Sequence, residues 1–347
     1  MASRTRRTLL IGSMLLSAFQ SSARYQTESK ANTLPAIFSG PVPEEDLDHL
    51  VETADLIVLG EVITAERTGA SETGESGKPV NVFVYRLTLR IDETLRGDQD
   101  SPLVFDTISR WEGAWRQPVY GLFFFRVGED KKITFSDPYY SVISTPRDLH
   151  SHGETALDRV VSILGDMLMR PNGRTNGALP HLRSSKSKAA NGVLRAALNT
   201  VADPQLSLQV ANALLLQGDR FALGFIKQNF LTGPKIPMED LQEQVFGNVM
   251  TYYLKDPEAI SDLEELLGSP SVSIRRGAAG ALGRTKSPQA VHGLARALED
   301  ADSTVRFWGV VGLFAVSGQT EGRPGEEFFK ANESRYLTYW KEWARNR

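Results

Sequence analysis

Val272-Ser273-Ile274-Arg275-Arg276-Gly277-Ala278-Ala279-Gly280-Ala281-Leu282-Gly283 is the stretch on which the fold of this chain turns. Gly277 to Ala281 are all small, and each Gly in a helix interior costs about 1 kcal/mol against Ala. A helix that keeps them does so to let other helix backbones approach closely. Thirty-one residues on, the apolar pattern returns: Ala259 meets Ala290, Ile260 meets Val291, Leu263 meets Leu294, Leu267 meets Leu298, Ile274 meets Val305, Arg275 meets Arg306 and Leu282 meets Leu313. Each unit is a helix pair in which neither helix buries its stripe alone, so stacked neighbours supply the core. Leu206 to Leu216 reads as a further second helix, and Phe221 to Phe230 and Met238 to Leu254 as diverged units.

With Asp300-Ala301-Asp302-Ser303-Thr304-Val305-Arg306, this stretch resembles HEAT repeats of the phycobilisome-lyase-like type, whose units carry an acid-rich turn, a Val-Arg pair and an Ala-Ala-x-Ala-Leu-Gly helix. The resemblance covers residues 257 to 318 and is weaker over 193 to 256. It departs in the last unit, where Phe307, Trp308 and Gly309 replace small residues, as in a terminal unit whose next neighbour is of another kind. It implies an α-solenoid over 153–347, closed by a C-terminal capping helix and offering a surface to a protein partner. Lyase activity does not carry over, since no bilin-handling residues are present.

Within this half, Arg275, Arg276 and Arg306 admit two readings. They pair with turn acids such as Asp302 and hold successive units in register, or with Arg284 and Arg296 they form a basic stripe for an acidic partner, interrupted by Glu264, Glu265, Glu299 and Asp300. Near the C-terminus, Tyr336, Trp340 and Trp343 fall on one helical face behind Phe329. Trp340 and Trp343 then either cap the solenoid or dock a partner.

Residues 44–148 change period. Leu56 to Val62 is a near-continuous apolar run, residues 82 to 91 alternate, and Leu103-Val104-Phe105, Tyr120 to Phe125 and Ile133-Thr134-Phe135 complete five short strands with Gly, Asp and Pro between them. Their order resembles the OB-fold and the barrel of netrin-like and tissue-inhibitor-of-metalloproteinases domains. The fold class expected is therefore α+β in two domains, a small five-stranded OB-like β-barrel followed by an α-helical HEAT-type solenoid. Thr68 to Lys78, rich in Gly, Ser and Glu, reads as the connection between the first two strands. Trp111 and Trp115 either pack into the barrel core or form an aromatic platform for a glycan or small molecule.

At the N-terminus, Arg4, Arg6 and Arg7 precede the apolar run Leu9 to Phe19, and Ser21-Ser22-Ala23 offers a cleavage site. Residues 1–23 read as a signal peptide for the general or the twin-arginine route, and 24–43 as a mobile lead-in. The apolar run is too short to span a bilayer, and no later segment is long enough, so no membrane span is expected after leader removal. The formal charge of −3 becomes −6 without the leader's three arginines, which argues against a nucleic-acid partner. With Cys 0, disulfides, thiolate metal sites and thiol nucleophiles are excluded.

No serine-nucleophile elbow, zinc-protease helix or phosphate loop is present, so no catalytic residue, cofactor or metal is assigned. His150-Ser151-His152-Gly153-Glu154 offers candidate metal ligands without the spacing of a known zinc motif, and a surface linker is the other reading. The sequence points to an exported, extracytoplasmic, non-enzymatic protein-protein interaction scaffold, with glycan or small-molecule binding by the barrel as the alternative.

Overall fold

The computed structural model describes residues 47–75, 78–109, 115, 119–137, 141–170, 177–232 and 240–347, so the leader, the lead-in and Trp111 lie outside the described residues. The described residues form two compact units, 47–201 and 202–347.

The first unit is organised by a long hairpin, β1 (Leu56–Glu75) against β2 (Lys78–Arg96). Its ladder persists to the Glu75/Lys78 pair, through the stretch expected to be a loop. Ladder pairing overrides the weak strand preference of Gly, Ser and Glu there. Four register shifts along the pair, as at Val62/Thr64, introduce the twist that bulges bring. β3 (Leu103–Ser109) pairs with β2, and β4 (Tyr120–Val127) with β1. β5 (Ile133–Phe135) and β6 (Val142–Ser144) both pair with β4, all antiparallel.

All five expected strands are present, and β6 is a sixth. The hydrogen-bonded order β3-β2-β1-β4-β5 leaves the sheet open, so the ladder does not close the expected OB-like barrel. The sheet curls all the same. Phe105 of β3 meets Phe135 of β5 edge-on at 5.2 Å, so the two end strands touch through rings where a barrel would join them by hydrogen bonds. Leu56, Val58, Leu87, Leu89, Phe105, Phe123 and Phe125 form the core on that face. Ile57, Leu59, Leu122 and Phe124, which alternate with them, are buried as well. Burial on both faces is why β1 begins, and β4 runs, as unbroken apolar sequence.

Among the described residues, four helices belong to this unit: α1 (Leu47–Thr53), α2 (Ala156–Met169), α3 (Leu179–Ser184) and α4 (Lys188–Thr200). Specific hydrogen bonds hold them. Arg159 of α2 donates to the Glu93 carboxylate at 2.7 Å and to the Thr94 and Leu95 carbonyls of β2, while Asp48 of α1 accepts from the Ser185 hydroxyl and the Lys186 backbone. These anchors place the division after Val201, later than the 148–153 junction read from the change of period. Composition marks where strands end but not which unit the following helices join.

Among the described residues the second unit is helical: α5 (Pro204–Leu216), α6 (Ala222–Phe230), α7 (Asp240–Tyr253), α8 (Ile260–Leu266), α9 (Val272–Thr285), α10 (Val291–Ala297), α11 (Ser303–Ser317), α12 (Glu326–Ala331) and α13 (Glu333–Arg345). The expected capping helix is two helices, broken at Asn332. Among the described residues no helix is long and apolar enough to cross a membrane.

Burial pushes the His181 imidazole of α3 down from 6.5 to about 4. The native state therefore keeps it neutral while the unfolded chain binds a proton, so the stability this group contributes is present above pH 6.5 and is lost as pH falls from 6.5 towards 4. Thermal unfolding midpoints recorded across that window should decline in the wild type and decline less in His181→Gln. Equal slopes for the two would show that His181 does not titrate this way.

Candidate functional site

The repeat register seen in the sequence is reproduced in three dimensions by its caps. Asp256 and Ser287 cap the short 3-10 turns Pro257–Ala259 and Pro288–Ala290, which open α8 and α10. Ser271 and Asp302 cap α9 and α11, accepting from the backbones of Ile274 and of Thr304 and Val305. Each of these caps has its counterpart one repeat away. The second helices α5, α7, α9 and α11 stack in order along one side, and the first helices α6, α8 and α10 along the other.

The stack is tightest around α9. A Cβ on Gly277 would lie 2.7 Å from the Gly247 carbonyl oxygen of α7 and 2.8 Å from its Cα, and one on Gly283 would lie 2.6 Å from the Cα of Gly312 in α11. Helix α9 thus touches both neighbours through bare backbone, the close approach that its small residues announce.

Arg275 and Arg306 do equivalent work in successive units. Arg275 donates to the Ser269 and Pro270 carbonyls and makes a two-pronged pair with Asp300 at 2.7 and 3.1 Å. Arg306 donates to the Asp300 and Ala301 carbonyls and pairs with Glu333. The three arginines pair with acids as the register reading expects, with a correction of partners: Asp302 holds Arg276, at 2.8 and 2.7 Å, and neither Arg275 nor Arg306. Asp302 lies below the usual carboxylate range through its bonds with Arg276, with further donation from the Val305 and Thr304 backbones, against the cost of burial.

Trp340 is fully buried, 4.7 Å edge-on to Phe314 and 5.3 Å from Trp343, and so serves the cap. Its indole N–H has no partner among the described residues. Trp343 is half-buried beneath the Arg347 guanidinium. In the other unit, Trp115 stacks on Phe135 at 6.1 Å and packs against the sheet core, the first of the two roles open to it. The side chains of His150, His152 and Glu154 are exposed, and the His152 backbone donates to Ser162 in α2. Among the described residues, no group of three or more His, Asp or Glu side chains is placed to hold a metal ion.

One surface feature was not singled out from the sequence. Tyr252 and Tyr253, at the end of α7, are 44% and 48% exposed. Tyr252 meets Trp308 of α11 edge-on at 6.3 Å, and the Arg284 guanidinium of α9 lies 5.5 Å over the same ring. The two aromatics belong to helices two repeats apart and meet because the intervening helix is built of small residues. Beside them, Leu216, Gln217, Gly218, Tyr253, Lys255 and Asp256 line a cleft of about 490 Å³. The available signal was that Trp308 occupies the place that Gly277 holds one repeat earlier.

A family profile for HEAT repeats matches residues 245–313, the span holding the backbone contacts, the arginine ladder and the aromatic pair. A comparison with curated proteins finds no match.

Two substitutions with the same helix-propensity gain separate the backbone contact from propensity. Gly277→Ala is expected to lose about 1–3 kcal/mol of stability through overpacking. Gly224→Ala in α6, whose Cβ would meet nothing within 4 Å, should gain about 0.5–1 kcal/mol. Equilibrium unfolding in denaturant measures both, and a stabilised Gly277→Ala would refute the close contact.

Proposed function

We propose that the protein is an exported, non-enzymatic scaffold for protein-protein interaction, and that its helical repeat array is the working part. The observation that carries this reading is the stacked second-helix face, matched by the HEAT profile over 245–313 and bearing exposed aromatic rings at its surface. HEAT repeats commonly mediate binding between proteins, and arrays of this kind present extended surfaces whose neighbouring units hold one another. The leader at 1–23 supports export to an extracytoplasmic compartment. Recognition of a glycan or small molecule by the sheet, the other function read from the sequence, draws no support from Trp115, whose ring is committed to Phe135.

The mature chain beginning at Arg24, immobilised and exposed to envelope extract, is expected to retain a small set of proteins in stoichiometric amount. The native protein in cell fractions should likewise begin at Arg24. Retention of no protein would overturn the scaffold, and a cytoplasmic protein with its leader intact would overturn export.

A further inference from the structure

On the repeats between Arg220 and Arg306 most basic side chains are already spoken for. Arg220, Lys227, Arg275, Arg276 and Arg306 each hold a carboxylate, and Arg296 donates to the Glu264 carbonyl. Lys255, Arg284 and Lys286 differ: all three are exposed, and among the described residues no carboxylate pairs with them. They gather where the aromatic pair lies. Arg284 stacks on Tyr252, Lys255 borders the cleft with Tyr253, and Lys286 follows α9. The partial negative charge of helix C-termini accounts for cations near the ends of α7 and α9. It does not account for rings left in water beside them.

We propose that Lys255, Arg284 and Lys286, with Tyr252, Tyr253 and Trp308, dock an extended acidic segment of the partner protein, one apolar residue of which seats in the cleft beside Tyr253. This rests on the scaffold reading and names the chemistry of its partner. Lys255 and Lys286 are repeat equivalents thirty-one residues apart, and helices packed in successive units lie about 8–10 Å apart. An extended chain advances about 3.3 Å per residue, so carboxylates three residues apart match the two ammonium groups. The rings give the segment apolar area and the unpaired cations give it direction, which are the anchor and steering terms of a peptide interface. Three cations on a chain of formal charge −6 after leader removal are too few for a nucleic-acid backbone, which is held by a longer basic tract.

The test uses the mature chain from Arg24 and a fluorescein-labelled peptide of about twelve residues with Asp at every third position around one Phe, read by fluorescence anisotropy. Binding should weaken with added salt, at least tenfold in Lys255→Glu/Lys286→Glu, and severalfold in Tyr253→Ala. Lys330→Ala, on α12, should leave it unchanged. Thermal midpoints establish that the variants fold, and Lys255→Gln/Lys286→Gln replaces the reversed pair if that pair does not. A wild type that ignores the peptide, a double variant that binds it equally well, or tighter wild-type binding of a twelve-nucleotide oligothymidylate each overturns the proposal. If wild type and double variant retain the same envelope proteins, this surface is wrong and the scaffold stands; if the wild type retains none, the scaffold itself falls.

Discussion

Helix α9 can sit where it does only because its backbone is bare where it meets α7 and α11. Gly277 against Gly247, and Gly283 against Gly312, bring main chain onto main chain at distances that leave no room for a methyl group. Such contacts set interhelix spacing by covalent geometry, which no rotamer change can relax. The rest of the array is arranged around that spacing. It brings Asp300 within reach of Arg275, and it brings rings from helices two repeats apart together above α9.

The arginine ladder complements the glycine contacts. Close-packed helices of small residues fix separation but are permissive of sliding, since a smooth surface has few ridges to interlock. Arg275 and Arg306 supply what the surface lacks. Each ties its own turn carbonyls to an acid of the following unit, and the bidentate Arg275–Asp300 pair, with side chains only 15% and 11% exposed, tolerates little displacement. Distance is set by backbone and register by charge.

Much of this was legible in the sequence because a repeat states its own register. The thirty-one-residue offset and the small residues of α9 needed no knowledge of distant contacts. Strands β1 to β5 were legible from alternation and turn residues. What was not legible depended on partners that sequence proximity does not reveal. Gly69 to Glu75 looked like a loop by composition and is strand because Lys78 to Val84 lies beside it. Asp302 looked like the partner of Arg275, yet a guanidinium bonded to the Ser269 and Pro270 carbonyls reaches Asp300. Trp308 stood out as a departure from the repeat, but that its ring meets Tyr252 depends on the spacing of three stacked helices.

That contact has a consequence for how the array comes apart. In a stack where each unit touches only the next, unfolding is described by intrinsic and nearest-neighbour terms, and end units can fray one at a time. A ring pair joining α7 to α11 across α9 adds a next-nearest coupling. Loss of α11 then removes a contact from α7 while α9 is still in place, and loss of α9 removes the surface over which the rings meet. Units 240–253, 272–285 and 303–317 are consequently coupled by more than their nearest-neighbour contacts, within a fold whose architecture otherwise permits piecemeal melting.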